Sequence, residues 1–191
     1  MPPPTRPLIR RSLVWLVLLA LMFPWPGTVS AYRLDGGNTR LSFVVDRFGL
    51  RWMSAQFREL TGEFGLDPGG QGGHLDVAVK TASVDCADAY WSERLRSPEW
   101  LDTARFPEML YRSTRIDFQG ETRAKVYGDL TLHGVTHPVT LTVTDIHCEQ
   151  SPDGAGQCSF AARAQLRRSD FRLPHGFWQG GDTVEIFVRG S

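Results

Sequence analysis

The sequence predicts a mainly β chain, folded as a sandwich or an antiparallel barrel, with a short helical insert. Three observations carry this. Apolar and polar residues alternate with period two over most of the chain beyond residue 31. Turn-forming clusters, DPGGQGG, HGVTH, SPDGAG and LPHGFWQGG, separate the alternating runs. One segment, CADAYWSERLR, carries its apolar residues at helical spacing instead. Many short strands divided by such turns read as a sandwich or a barrel.

The first 31 residues read as a targeting segment, not as part of that fold. Arg6, Arg10 and Arg11 precede an apolar run, Leu13 to Phe23, and small residues then lead to Ala31. This is the order of a secretory signal peptide, cleaved after Ala31. A bilayer-spanning helix needs about 20 apolar residues, and this run has eleven. Residues 32–191 then form one domain, long enough to bury a core. The leader removes three arginines, leaving 18 basic against 21 acidic residues. That balance offers no electrostatic footprint for nucleic acid. Export to the periplasm, or secretion, is the expected destination.

The elements follow in order. Phe43 and Val45 share a face in RLSFVVD. An extended stretch runs from about Met53 to Leu66, with Phe64 inward and a break expected at Gly62. Leu75, Val77 and Val79 share the next face. Asp85 is placed to cap the helix, whose Tyr90, Trp91 and Leu95 are apolar, and Ser97-Pro98 to open a second short helix over PEWLD. Met109 and Tyr111 begin a strand that resumes, after a bulge, with Ile116 and Phe118. Ala124, Val126, Gly128, Leu130 and Leu132 form one face of a hairpin strand, and Val139, Leu141 and Val143 the face of its partner. Phe160, Ala162, Ala164 and Leu166 follow, and Val184, Ile186 and Val188 end the series.

Three cysteines remain after export. Cys148 ends one alternating run and Cys158 begins the next, with a turn-rich link between them. A hairpin would set them opposite each other, and an oxidising compartment would pair them. Cys86 is left over.

What the inward faces surround decides the function. Gly128, Ala162 and Ala164 are small, and Phe43, Phe64 and Tyr111 could fill the space opposite. An eight-stranded antiparallel barrel can equally be packed or hold one slender ligand. Arg168 continues the inward parity of Leu166, so it needs a salt-bridge partner at the rim, water, or a ligand's polar head group. Periodicity leaves core and cavity equally open.

Several ordered motifs resemble the YceI-like polyisoprenoid-binding family of exported bacterial proteins. YRLD opens at Tyr32. GDLTLHGVTHPVTLTV is similar to that family's Gly-x-Leu-Thr hairpin. SVDCADAYWSERLRSPEWLDTARFPEMLYRS is similar to its helical insert, and RRSDF to its late Arg-Ser-Asp-Phe motif. The resemblance implies a lipocalin-like, extended eight-stranded antiparallel β-barrel with an apolar bore. That bore would hold a polyprenyl chain or an isoprenoid quinone, without catalysis and with no other cofactor. The lining it implies is Phe43, Val45, Phe64, Val77, Val79, Tyr111, Val126, Gly128, Leu130, Leu132, Val139, Leu141, Val143, Phe160, Ala162, Ala164 and Ile186, with Arg168 and Trp91 at the rim or head group. A membrane cytochrome and a second copy of the chain are further partners it admits. Departures are Arg47, Ala55, Cys86, Tyr90-Trp91-Ser92 and Arg172, and the cysteine pair is not part of the family pattern.

Other functions have weaker signals in the sequence. His133 and His137 flank the hairpin turn and could begin a metal site, but two ligands are too few and no metal is assigned. Asp170 and Asp182 could pair as carboxylates. No nucleophile elbow or phosphate loop is present, so no catalytic residue is assigned. An interaction module docking with a membrane redox protein, through the insert or Phe177-Trp178, is the alternative.

Overall fold

The structure is a computed structural model describing residues 31–47, 50–67, 72–150, 156–175 and 181–191. The strands are β1 (Ala31–Asp35), β2 (Thr39–Arg47), β3 (Leu50–Phe57), β4 (Leu60–Leu66), β5 (Gly73–Lys80), β6 (Val84–Asp85), β7 (Glu108–Phe118), β8 (Ala124–Leu132), β9 (Val135–Gln150), β10 (Gly156–Arg167) and β11 (Thr183–Gly190), with helix α1 at Ala89–Arg96. All join one sheet, in the order β1-β4-β5-β7-β8-β9-β10-β11-β2-β3-β6, and every pairing described is antiparallel.

Eleven strands reduce to the expected eight-stranded barrel because the first three long strands are each broken once. β2 pairs with β3 and β1 with β4, so β1–β2 lies along β3–β4. β5 pairs with β4 and the short β6 with β3, so β5–β6 lies along the other edge. The breaks fall side by side. The Arg58 amide donates to the Ser83 carbonyl at 3.2 Å, and the Lys80 amide to the Glu59 carbonyl at 3.0 Å. A kink line therefore crosses three strands at Gly36–Asn38, Arg58–Glu59 and Thr81–Ser83. The ring closes through β11–β2 and the covalent continuity of β3 with β4. The second strand is thus interrupted at Arg58–Glu59, not at Gly62, which sits inside β4 paired with Val77.

Turn chemistry sets the hairpin register. Leu132 pairs with Val135, so the β8–β9 loop is His133-Gly134, and both residues have positive φ. That is the type I′ geometry, whose twist matches the strands, and glycine meets its second position without strain. The bulge expected in β7 lies between Ser113 and Arg115.

The insert differs in detail. Asp88, not Asp85, caps α1, accepting from the amides of Tyr90 at 2.8 Å and Trp91 at 3.4 Å. Asp85 is held in β6 opposite Gln56, a long-range pairing that overrides its capping preference. Pro98–Leu101 forms a bonded turn rather than a second helix. The Asp102 amide folds back to Ser97 O at 3.0 Å, with Asp102 itself left-handed. Leu95, Trp100 and Leu101 are buried at one end of the barrel.

One stretch of wall is split. The β9–β10 ladder stops at Thr142–Arg163. Pro138 lies beyond that point and has no amide to offer a neighbour. Phe171, 1% exposed, fills the parting and meets the His137 ring edge-on at 5.5 Å. A polar groove of about 440 Å³ lies there, lined in part by Gln165, Arg167 and Thr183.

Candidate functional site

The alternation of β8 is complete: Ala124, Val126, Gly128, Leu130 and Leu132 are all buried. Register sets Gly128 opposite Val139, Val126 opposite Leu141 and Ala124 opposite Val143. Phe160, Ala162, Ala164 and Leu166 continue the inward face along β10, with Ile186 opposite Ala164. These faces do not meet. They surround a cavity of about 560 Å³, a size at which small-molecule sites are found, roughly 300–1,000 Å³.

Most of the residues expected on a bore line this cavity: Phe64, Val77, Val79, Tyr111, Val126, Leu130, Val139, Leu141, Val143, Phe160, Ala162 and Ile186. Phe43, Val45 and Leu132 instead line a second, inner chamber of about 80 Å³. Leu41, Met109 and Ile186 belong to both chambers, so the two are contiguous in the wall. Leu95, Trp100 and Leu101 of the insert line the inner chamber, so the insert covers that end. At the other end the lining runs out to Gly120 and Glu121 of the β7–β8 loop and to Cys148 and Cys158. Apolar residues near that mouth, Phe118, Val143 and Ile146 among them, are only half-buried because they face the void.

Tyr111 shows how the wall stays apolar. Its hydroxyl lies 3.1 Å from both the Val126 and Val139 carbonyl oxygens, and its one proton serves them in turn. The polar end is thus spent on the wall, and the ring faces the lumen. Burial pushes this phenol well above its ordinary pKa, with the Asp129 charge adding. Gly128 is absent from the lining because the Tyr111 ring lies against it. Ala164 is absent too, being packed in the core.

Arg168 is not at the rim. It is 3% exposed, its guanidinium carbon lies 4.9 Å from the Trp100 ring centre, and Nη1 donates to Gly181 O at 3.1 Å. Burial lowers its pKa to about 10, opposed by the Asp182 charge. It lines the inner chamber, whose surface is almost wholly apolar. Trp91 lines neither chamber. It lies half-buried on α1, edge-on to Trp100 at 6.4 Å, because the buried residues of that helix are Ser92 and Leu95.

Cys148 and Cys158 are register partners joined by a disulfide. Cys86 is a free, half-buried thiol, with Sγ 3.2 Å from the Asp88 carbonyl oxygen. His133 packs tilted against Phe106 at 4.5 Å while His137 meets Phe171, so the two histidines have separate partners. Asp182 receives the Ser169 amide and hydroxyl, both at 2.8 Å, and anchors the turn before Arg172. Phe177 and Trp178, expected above on a docking surface, and residues 1–30 of the expected leader lie outside the described residues. Sequence reasoning missed Glu121, a loop residue with no periodic signal. It also missed Leu41 and Leu34, whose parity with Phe43 and Tyr32 could have found them.

The profile of the YceI-like domain matches residues 32–190. Protein YceI of Escherichia coli O157:H7 is 29% identical over 184 residues, covering 94% of this chain and 96% of that one. A UPF0312 protein of Vibrio vulnificus is 28% identical over 186 residues, covering 95% and 98%. BcnA of Burkholderia cenocepacia shares the fold at TM-score 0.70 and 22% identity, over 82% of this chain and 97% of that one. A polyisoprenoid binding domain from Saccharophagus degradans does so at TM-score 0.54 and 14% identity, over 85% and 99%.

Proposed function

This chain belongs to the YceI-like family, and from that premise we propose that it is an exported, non-catalytic binder of an isoprenoid lipid. The ligand is a polyprenyl chain or an isoprenoid quinone, and the role is that of carrier or sensor in the periplasm. One observation carries the reading: a cavity of about 560 Å³ whose wall is built from inward aliphatic and aromatic side chains. A prenyl chain offers almost no polar atoms, so non-directional burial is what its recognition requires. The neighbour from Saccharophagus degradans is described as a polyisoprenoid binding domain, which supports the same ligand class here. The leader and the Cys148–Cys158 disulfide agree with an oxidising compartment.

Native mass spectrometry of protein purified from a periplasmic extract, followed by organic extraction, tests this. A prenyl lipid or quinone near one per chain is expected, on a mature chain beginning at Tyr32. Protein that is bare, and stays bare after incubation with isoprenoids, would favour an interaction module docking with a membrane redox protein.

A further inference from the structure

Resting on the isoprenoid reading, we propose that the bore selects chains with an uncharged polar end and rejects those ending in phosphate or diphosphate. The chamber under the insert sets the ligand's direction. It is small and apolar, and it is closed by Leu95, Trp100 and Leu101, so it receives the hydrocarbon end. The polar end then lies in the larger chamber, toward Gly120 and Glu121.

No cation among the described residues lines that mouth. Among the described residues lining the larger chamber, Glu121 is the one charged side chain. Arg33 alternates with the lining residues Tyr32 and Leu34 and is exposed. Arg115 pairs with Asp117 at 2.9 Å and stacks over Tyr127 at 4.3 Å. Arg123 shares the loop of Glu121 but is exposed and off the lining. The one charged residue on the inner chamber, Arg168, lies under the insert at the end away from that mouth, with its guanidinium over Trp100 and Nη1 donating to the Gly181 carbonyl.

Two of the three hydroxyls described on that lining, those of Tyr111 and Thr39 but not of Tyr32, have wall partners. The Tyr111 hydroxyl serves Val126 and Val139, and Thr39 Oγ1 donates to Asn38 Oδ1 at 2.7 Å. A phosphate binds well where arginine or lysine donates charge-assisted hydrogen bonds. Here it would meet apolar wall and the Glu121 carboxylate, both unfavourable. An uncharged alcohol, quinone or amide meets no charge repulsion and costs far less to desolvate.

The test is isothermal titration of delipidated mature protein with geranylgeraniol, geranylgeranyl phosphate and geranylgeranyl diphosphate in 0.15 M salt. The alcohol is expected to bind at least tenfold tighter than the diphosphate. Glu121→Arg should narrow that ratio severalfold, and Glu121→Gln by less. The ratio in wild type should shrink as salt rises, because the carboxylate is near solvent. Diphosphate binding equal to or tighter than the alcohol would overturn the inference while leaving the isoprenoid reading intact. Failure of all three to bind would overturn the isoprenoid reading, and this one with it.

Discussion

The phenol of Tyr111 lies across Gly128: a Cβ at position 128 would stand 2.6 Å from Tyr111 Cζ and 2.5 Å from the Arg112 carbonyl oxygen. One strand gives up its side chain so that the next can turn a hydroxyl into the wall. Gly128→Leu should therefore expel the ring into the lumen. We expect a loss of roughly 1–3 kcal/mol from overpacking, read by thermal unfolding, together with less bound lipid per chain. Lipid content equal to wild type would mean that the ring is not displaced inward.

Trp100 joins the insert to the barrel end. It is buried, lines the inner chamber and carries Arg168 over its face. Trp100→Ala should cost about 3–5 kcal/mol, measured by urea unfolding. The surviving folded protein should accept longer prenyl chains, because the closed end has been opened. An unchanged chain-length preference would place the ligand's end short of this chamber.

The disulfide closes a short loop, with a sequence separation of 10 between its cysteines. The loop-entropy account gives about 2–3 kcal/mol for it. Reduction, or Cys148→Ser with Cys158→Ser, should lower the melting temperature by several degrees. It should also speed ligand release in a stopped-flow chase, since both cysteines line the mouth. Melting that falls while release stays constant would separate the stability role from the mouth.

Asp182 predicts the acid limb of stability. Burial pushes its carboxyl up, but the Ser169 amide and hydroxyl, the His175 charge and Arg167 outweigh this and hold it below the usual carboxylate range. A depressed acid stabilises fully above its unfolded pKa of about 3.9, and the gain is lost as pH falls through the folded value. Urea midpoints should therefore drop below about pH 4. Asp182→Asn should lower the unfolding free energy at pH 7, by about 1 kcal/mol after screening, and should flatten the acid limb. A parallel acid limb in the variant would move the effect to other carboxylates.

Much of this was legible as parity. The inward sets of β8 and β9 could be read from Leu130 and Val139 because a side-chain period of two depends only on neighbours along the strand. Whether those faces touch was not legible, because the gap is fixed by how the whole ring closes. Asp85 misled for a similar reason: its local capping preference yields to a pairing with Gln56, 29 positions earlier in the chain. Arg168 was readable as inward, but its position over Trp100 depends on an insert some 70 residues away. Glu121 sits in a loop, where sequence has no period to read.

The aligned interruptions at Gly36–Asn38, Arg58–Glu59 and Thr81–Ser83 divide this container into two storeys. Below them β2, β3 and the insert contribute to the inner chamber, and above them β1, β4 and β5 contribute to the larger one. Floor and brim are thus drawn largely from opposite halves of the same broken strands.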